Sequence, residues 1–187
     1  NILQIAFLGP LVGAASRALT GWVSDRWGGQ RVTQWVFIAL MVGVGGALYS
    51  TGALGAEPSF PMFFASFMWL FFWTGVGNAS TFQMIPAIMR RDMVRLIPNA
   101  AEDTRSRQAE TESAAIIGFT SAIAAFGAFF IPKAYGTSIA LTGSAQTALA
   151  GFFVFYLTCI ALTWWVYTRR GRLLYETERK RSTAPMT

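Results

Sequence analysis

The stretch Phe7-Leu-Gly-Pro-Leu-Val-Gly-Ala-Ala-Ser-Arg17-Ala-Leu-Thr-Gly21-Trp-Val-Ser-Asp25-Arg26-Trp-Gly28-Gly29-Gln-Arg31 sets one arginine, Arg17, inside a run that is otherwise uncharged from Asn1 to Ser24. An arginine near the middle of a membrane-spanning helix costs roughly 2.5–3.5 kcal/mol on insertion scales, so it needs a reason. Residues three, four and seven positions away share its helical face. Here they are Pro10, Gly13, Ala14, Thr20 and Gly21. Such a small-residue face suits contact with protein or a water-filled cavity and leaves Leu11, Leu19, Trp22 and Val23 to lipid. The simpler reading is snorkelling. Arg17 stands about six residues, or roughly 9 Å, from the end of the run near Val23, within reach of a long side chain.

Outward from this stretch, composition settles the class. With 53% hydrophobic and 13% charged residues and a mean hydropathy of +0.43, the chain reads as a membrane protein. Five apolar runs match the roughly 20 residues a spanning helix needs, at about 2–23, 33–54, 60–89, 114–131 and 146–168, followed by a basic tail over 169–187. They lack the alternation of barrel strands, so the fold class is an all-α polytopic membrane bundle. The basic residues cluster between the first and second runs (Arg26, Arg31), between the third and fourth (Arg90, Arg91, Arg95, Arg105, Arg107) and in the tail, while the alternate loops hold only Lys133. The positive-inside rule therefore predicts cytoplasmic first and third loops and tail, with Asn1 outside. The net charge of +6 is a product of this topology, and no nucleic-acid partner is inferred from it.

The chain has no histidine, and its single cysteine, Cys159, sits in an apolar run, which leaves no parts for a metal site, a cofactor-ligating cluster or a Ser-His or Cys-His catalytic pair. An enzyme is not expected. The outside start, the odd number of spans and the absence of an initial methionine suggest a fragment of something longer.

Two further segments carry polar residues at helical spacing. Thr74, Asn78 and Thr81 form a stripe within the third run, to be read equally as glue between helices or as cavity lining, and Pro86 frees the carbonyl of Phe82 and predicts a kink. In the fourth run Ala114, Gly118, Ser121, Ala125 and Ala128 make a small-residue face with one hydroxyl. Between the two runs, Asn99 and Glu102 match a capping box, with a helix expected from near Ala100 directly into the fourth run. The fifth run, with Trp164, Trp165 and Tyr167 beside the basic tail, reads as a lipid-facing helix with an interfacial belt.

The segment Gly21-Trp-Val-Ser-Asp25-Arg26-Trp-Gly28-Gly29-Gln-Arg31 fits a tight helix-to-helix turn, since its glycines permit positive φ and Asp25 can bond Arg26, Arg31 or a helix end. It resembles the G-x-x-x-D-R-x-G-G-x-R signature of the major facilitator superfamily. Together with Phe7-Leu-Gly-Pro10, Arg17, Gly77-Asn-Ala-Ser-Thr-Phe-Gln-Met-Ile-Pro86 and Gly118-Phe-Thr-Ser-Ala-Ile123, it resembles the NarK-type nitrate/nitrite porters of that superfamily.

The resemblance covers essentially the whole chain and implies helices eight to twelve of a twelve-helix fold in a bacterial-type inner membrane. It also implies that the partner N-terminal half is missing. It makes Arg17 one of a pair of substrate-binding arginines, places Gly118 and Ser121 near the anion with Asn78 as a further lining residue, and gives Gly21, Asp25, Arg26, Gly28, Gly29 and Arg31 a gating role. Ala124 and Ala128 depart from the glycine-rich pattern of the family. The implied activity is exchange of nitrate and nitrite by alternating access. None of the nine acidic residues lies inside a span, which favours exchange over proton-coupled import. A porter for another small or organic anion, and a membrane subunit without transport activity, are the competing readings.

Overall fold

The computed structural model describes residue 5 and residues 7–55 and 57–169, without the side chains of Ser24, Asp25, Gln30 and residues 167–169. The basic tail expected over 169–187 lies almost wholly outside the described residues. Among those described, all regular structure is helical. Helix α1 is Leu8–Leu19, α2 is Gly21–Trp27, α3 is Gly29–Ser50, α4 is Phe60–Leu96, α5 is Glu102–Thr142 and α6 is Gln146–Thr163, followed by a π-helical turn over Trp164–Arg169. Four segments are long and apolar enough to cross a membrane, Arg31–Ser50, Phe60–Leu96, Glu102–Thr142 and Gln146–Val166. The first run, expected over 2–23, is described only from α1 onward.

Element ends follow local chemistry. Pro10 stands in the first turn of α1, where no intrahelical donor is needed. The segment from Gly21 to Trp27, expected as a turn, is itself a short helix, and the reversal is concentrated at Gly28, whose φ of 81° suits glycine. Because that single residue makes the break, α3 starts at Gly29 rather than 33. It stops at Ser50 rather than 54, where Ser50 and Thr51 donate their hydroxyls to the carbonyls of Ala47 and Leu48 and Gly52 turns to a φ of 80°. Helix α4 runs past 89 to Leu96 and stops where Pro98 pushes Ile97 out of helical geometry. Helix α5 starts at Glu102 on an Ala101 cap without a side-chain bond, so the capping box expected from Asn99 does not form. As expected, it continues unbroken into the fourth run. It also passes through Pro132, beyond the end of the run expected over 114–131, and stops at Gly143 in the left-handed region.

Packing centres on α3 and α4. Val32, Val36, Leu40, Val44 and Ala47 of α3 recur at spacings of four and three and are buried. Val32, Val36 and Leu40 cluster with Val76 of α4 under Trp73, Leu70 and Tyr156, while Val44 and Ala47 cluster with Leu149 of α6. Two polar ties cross this core, the indole of Trp69 to the carbonyl of Ala39 at 2.8 Å and the hydroxyls of Thr33 and Ser80 at 3.0 Å. The wall outside is apolar: Phe119, Ile123, Phe126, Phe129 and Phe130 of α5 are all exposed in this chain. Such an uncovered face fits lipid or further protein rather than water.

Candidate functional site

Helices α1 and α4 cross at almost no distance. A Cβ placed on Gly75 would collide with the Ser16 hydroxyl and the Gly13 carbonyl, and one on Gly9 with the ring of Phe71. The stripe of α1 that packs is therefore Gly9, Gly13 and Ser16, one residue round from the Pro10, Ala14 and Arg17 line. Gly9 and Ser16 are buried, whereas Pro10, Ala14 and Arg17 are exposed within this chain. Leu11, Leu19 and Trp22 are exposed as expected, but Val23 packs against the core at Val32 and Val36.

This crossing sets the position of Arg17. Its guanidinium lies over the ring of Phe82, 5.0 Å from the centroid, a cation–π arrangement between α1 and α4. Phe82 also lines a cleft of about 360 Å³ between α3, α4, α5 and Tyr156 of α6. Thr33, Thr74, Asn78, Thr81, Thr120 and Ser121 supply its polar lining, and Val36, Phe37, Leu40, Ala124 and Tyr156 complete its apolar wall.

Several of these hydroxyls are already committed. Thr81 donates to the Gly77 carbonyl, Thr120 to the carbonyls of Ile116 and Ile117, and Thr33 is paired with Ser80. The helix-to-helix glue thus comes from Thr33 and Ser80, and the stripe of Thr74, Asn78 and Thr81 faces the cleft. Two readings open in the sequence are separated onto different residues.

The structure brings Asn78 and Ser121 into one cleft whose wall, Phe82, carries Arg17. It does not bring Gly118 in: that residue is exposed, outside the lining, and a Cβ on it would meet nothing within 4 Å. In the glycine-rich loop, Arg26 and Arg31 are exposed, and the Asp25 side chain lies outside the described residues. Gly21 faces the amide of Gln83, and Gly29 sits against Met84 and the carbonyl of Ser80, with 3.1 and 3.2 Å to an added Cβ. The stretch 80–84 of α4 therefore covers the loop glycines on one side and presents Phe82 to Arg17 on the other. Sequence reasoning missed Phe82 and Gln83. The signal was the i, i+4 relation of Phe82 to Asn78, hidden because one phenylalanine among 16 carries no label of its own.

Comparison with known proteins places the chain. It is 46% identical over 174 residues to the nitrate/nitrite transporter NarU of Salmonella typhimurium and 42% identical over 174 residues to NarU of Escherichia coli. It is 36% identical over 173 residues to the probable nitrate/nitrite antiporter NarK2 of Thermus thermophilus. These matches take in 90–91% of this chain but 34–37% of the relatives, so the chain spans little more than a third of their length. No family model matches it. The chain is thus similar to the NarU and NarK2 nitrate/nitrite transporters along nearly its whole length, over about a third of theirs.

Proposed function

We propose that this chain supplies the C-terminal helices of an alternating-access porter that exchanges nitrate and nitrite, with Arg17 as the anion-binding cation. The observation that carries the reading is the Arg17 guanidinium over the ring of Phe82, which is itself one wall of a cleft lined by Asn78 and Ser121. A guanidinium offers fixed, coplanar donors to a planar oxyanion, and the ring of Phe82 gives that guanidinium a cation–π partner. Asn78 and Ser121 add neutral donors without adding charge, which suits a small monovalent anion. The second arginine of the pair that the resemblance implies is assigned to the N-terminal half of the full-length transporter. The two halves then rock about a midplane site.

Orientation follows the basic residues. The α2 segment, the α4–α5 connection and the tail face the cytoplasm, in a bacterial-type inner membrane. Exchange is preferred to proton-coupled uptake because no acidic residue falls within the apolar runs at 2–23, 33–54, 60–89, 114–131 and 146–168.

The test is counterflow in liposomes containing the complete polypeptide. External nitrite should drive efflux of preloaded labelled nitrate without a pH gradient, with no change on adding a protonophore, and Arg17→Ala should abolish it. Uptake that collapses with the pH gradient would establish the proton-coupled alternative. Uptake of organic anions in preference to nitrate would replace the substrate.

A further inference from the structure

A second basic cleft lies at the end of the bundle that carries the Gly21–Arg31 segment, where α4 ends and α5 begins. It holds about 440 Å³ and is lined by Arg90 and Val94 of α4 and by Glu102, Arg105 and Ser106 of α5. Two guanidinium-bearing side chains from different helices thus bound one concavity, on a chain segment where the connection between them is only five residues, Ile97 to Ala101. The Nε of Arg105 is buried and has no hydrogen-bond partner. A buried donor of a charged group left unpaired is costly, so an acceptor such as a ligand oxygen or an ordered water is expected to meet it. The cleft is remote in sequence from Arg17 and shares no residue with the cleft at Phe82.

We propose that this cleft is a binding site for a phosphate group, independent of the transport site. Arg90 and Arg105 supply bidentate donors, the geometry that guanidinium offers to phosphate oxygens, and the Ser106 hydroxyl supplies a neutral donor. Glu102 leaves the lining with a formal charge of +1, which fits a phosphodiester monoanion better than a dianion. Its carboxylate accepts from a hydroxyl or ammonium carried beside the phosphate. Val94, exposed on the α4 side, gives an apolar flank. The apolar run of α4 ends at Met89, immediately before Arg90, so this end of the cleft sits at the depth of lipid headgroups. The same chemistry is carried by a phospholipid headgroup and by free phosphate, and the two sources separate in one experiment.

The complete polypeptide is prepared in phosphate-free detergent micelles and in nanodiscs with and without phosphatidylglycerol. Phosphatidylglycerol retained in native mass spectra, and displaced at least tenfold more easily from an Arg90→Gln/Arg105→Gln protein, would identify a lipid headgroup. A rise in melting temperature with inorganic phosphate in lipid-free micelles, absent from the double variant, would identify a free anion. Glu102→Gln should tighten either ligand severalfold, and Arg105→Lys should retain part of the binding in a protein of unchanged fold. The proposal is overturned if neither phosphatidylglycerol nor phosphate binds, or if both bind equally to the double variant. Nitrate exchange by the double variant is expected to persist, so failure here leaves the transport reading intact.

Discussion

Arg17 and Phe82 meet across two helices, the guanidinium 5.0 Å from the ring centroid, and their meeting depends on the contact of Gly75, two turns before Phe82, with Ser16 and Gly13. Close backbone approach brings α1 near enough for a side chain of α1 to lie on a ring of α4. The same ring bounds the cleft lined by Asn78 and Ser121.

Arg17→Lys separates anion recognition from snorkelling. Lysine keeps the charge and the long stem but lacks the planar fork. Loss of one of two charge-assisted bonds, roughly 1.5–3 kcal/mol, should weaken nitrate binding about ten- to a hundredfold while insertion is unchanged. Equilibrium binding to the complete polypeptide in liposomes checks this, with Arg17→Ala as the control without charge. Unaltered affinity in both variants would remove Arg17 from the site.

Phe82→Leu keeps an apolar cleft wall and removes the π face. A cation–π contact contributes roughly 0.5–2 kcal/mol, so nitrate affinity should fall about two- to thirtyfold. The same substitution placed in an Arg17→Gln protein should have a smaller effect, because the interaction is then already lost. Equal effects in both backgrounds would mean that the ring serves only as a wall.

Gly75→Ala forces a methyl into the α1–α4 crossing. Overpacking of this kind costs about 1–3 kcal/mol. The expected result is a lower melting temperature together with weaker nitrate binding, since Arg17 is displaced with α1. Gly118→Ala is the contrast, because its Cβ meets nothing within 4 Å, and its melting temperature should stay near that of the parent protein. Equal losses from both would show that the crossing is not where glycine is required.

Asp25→Asn tests the gate. If Asp25 bonds Arg26 or Arg31, as its place in the segment leads one to expect, neutralising it should loosen a cytoplasmic latch and shift the population toward inward-open states. A cysteine placed on the cytoplasmic side of the cavity should then label faster than in the parent. Equal labelling rates would dismiss the latch.

The sequence by itself determined the all-α class, the five apolar runs, a turn within Gly21–Arg31 and the one charge, Arg17, in an otherwise uncharged stretch. Each of these rests on a local quantity: hydropathy over about 20 residues, a backbone angle that favours glycine, or one charge in an uncharged window. Helix ends were less legible. The apolar runs end at 89 and 131, yet α4 continues to Leu96 and α5 to Thr142, because a helix does not stop where its apolar stretch does.

Only the tertiary structure decided which small residues make the crossing, that Thr33 and Ser80 tie α3 to α4 while Asn78 faces the cleft, and that Phe82 lies beneath Arg17. The physical reason is rotational. On an isolated helix, Ser16 and Arg17 are about 100° apart, and the face that turns inward is set by the partner backbone that comes closest. For α1 that partner is Gly75, whose missing side chain is visible in the sequence but whose neighbour is not.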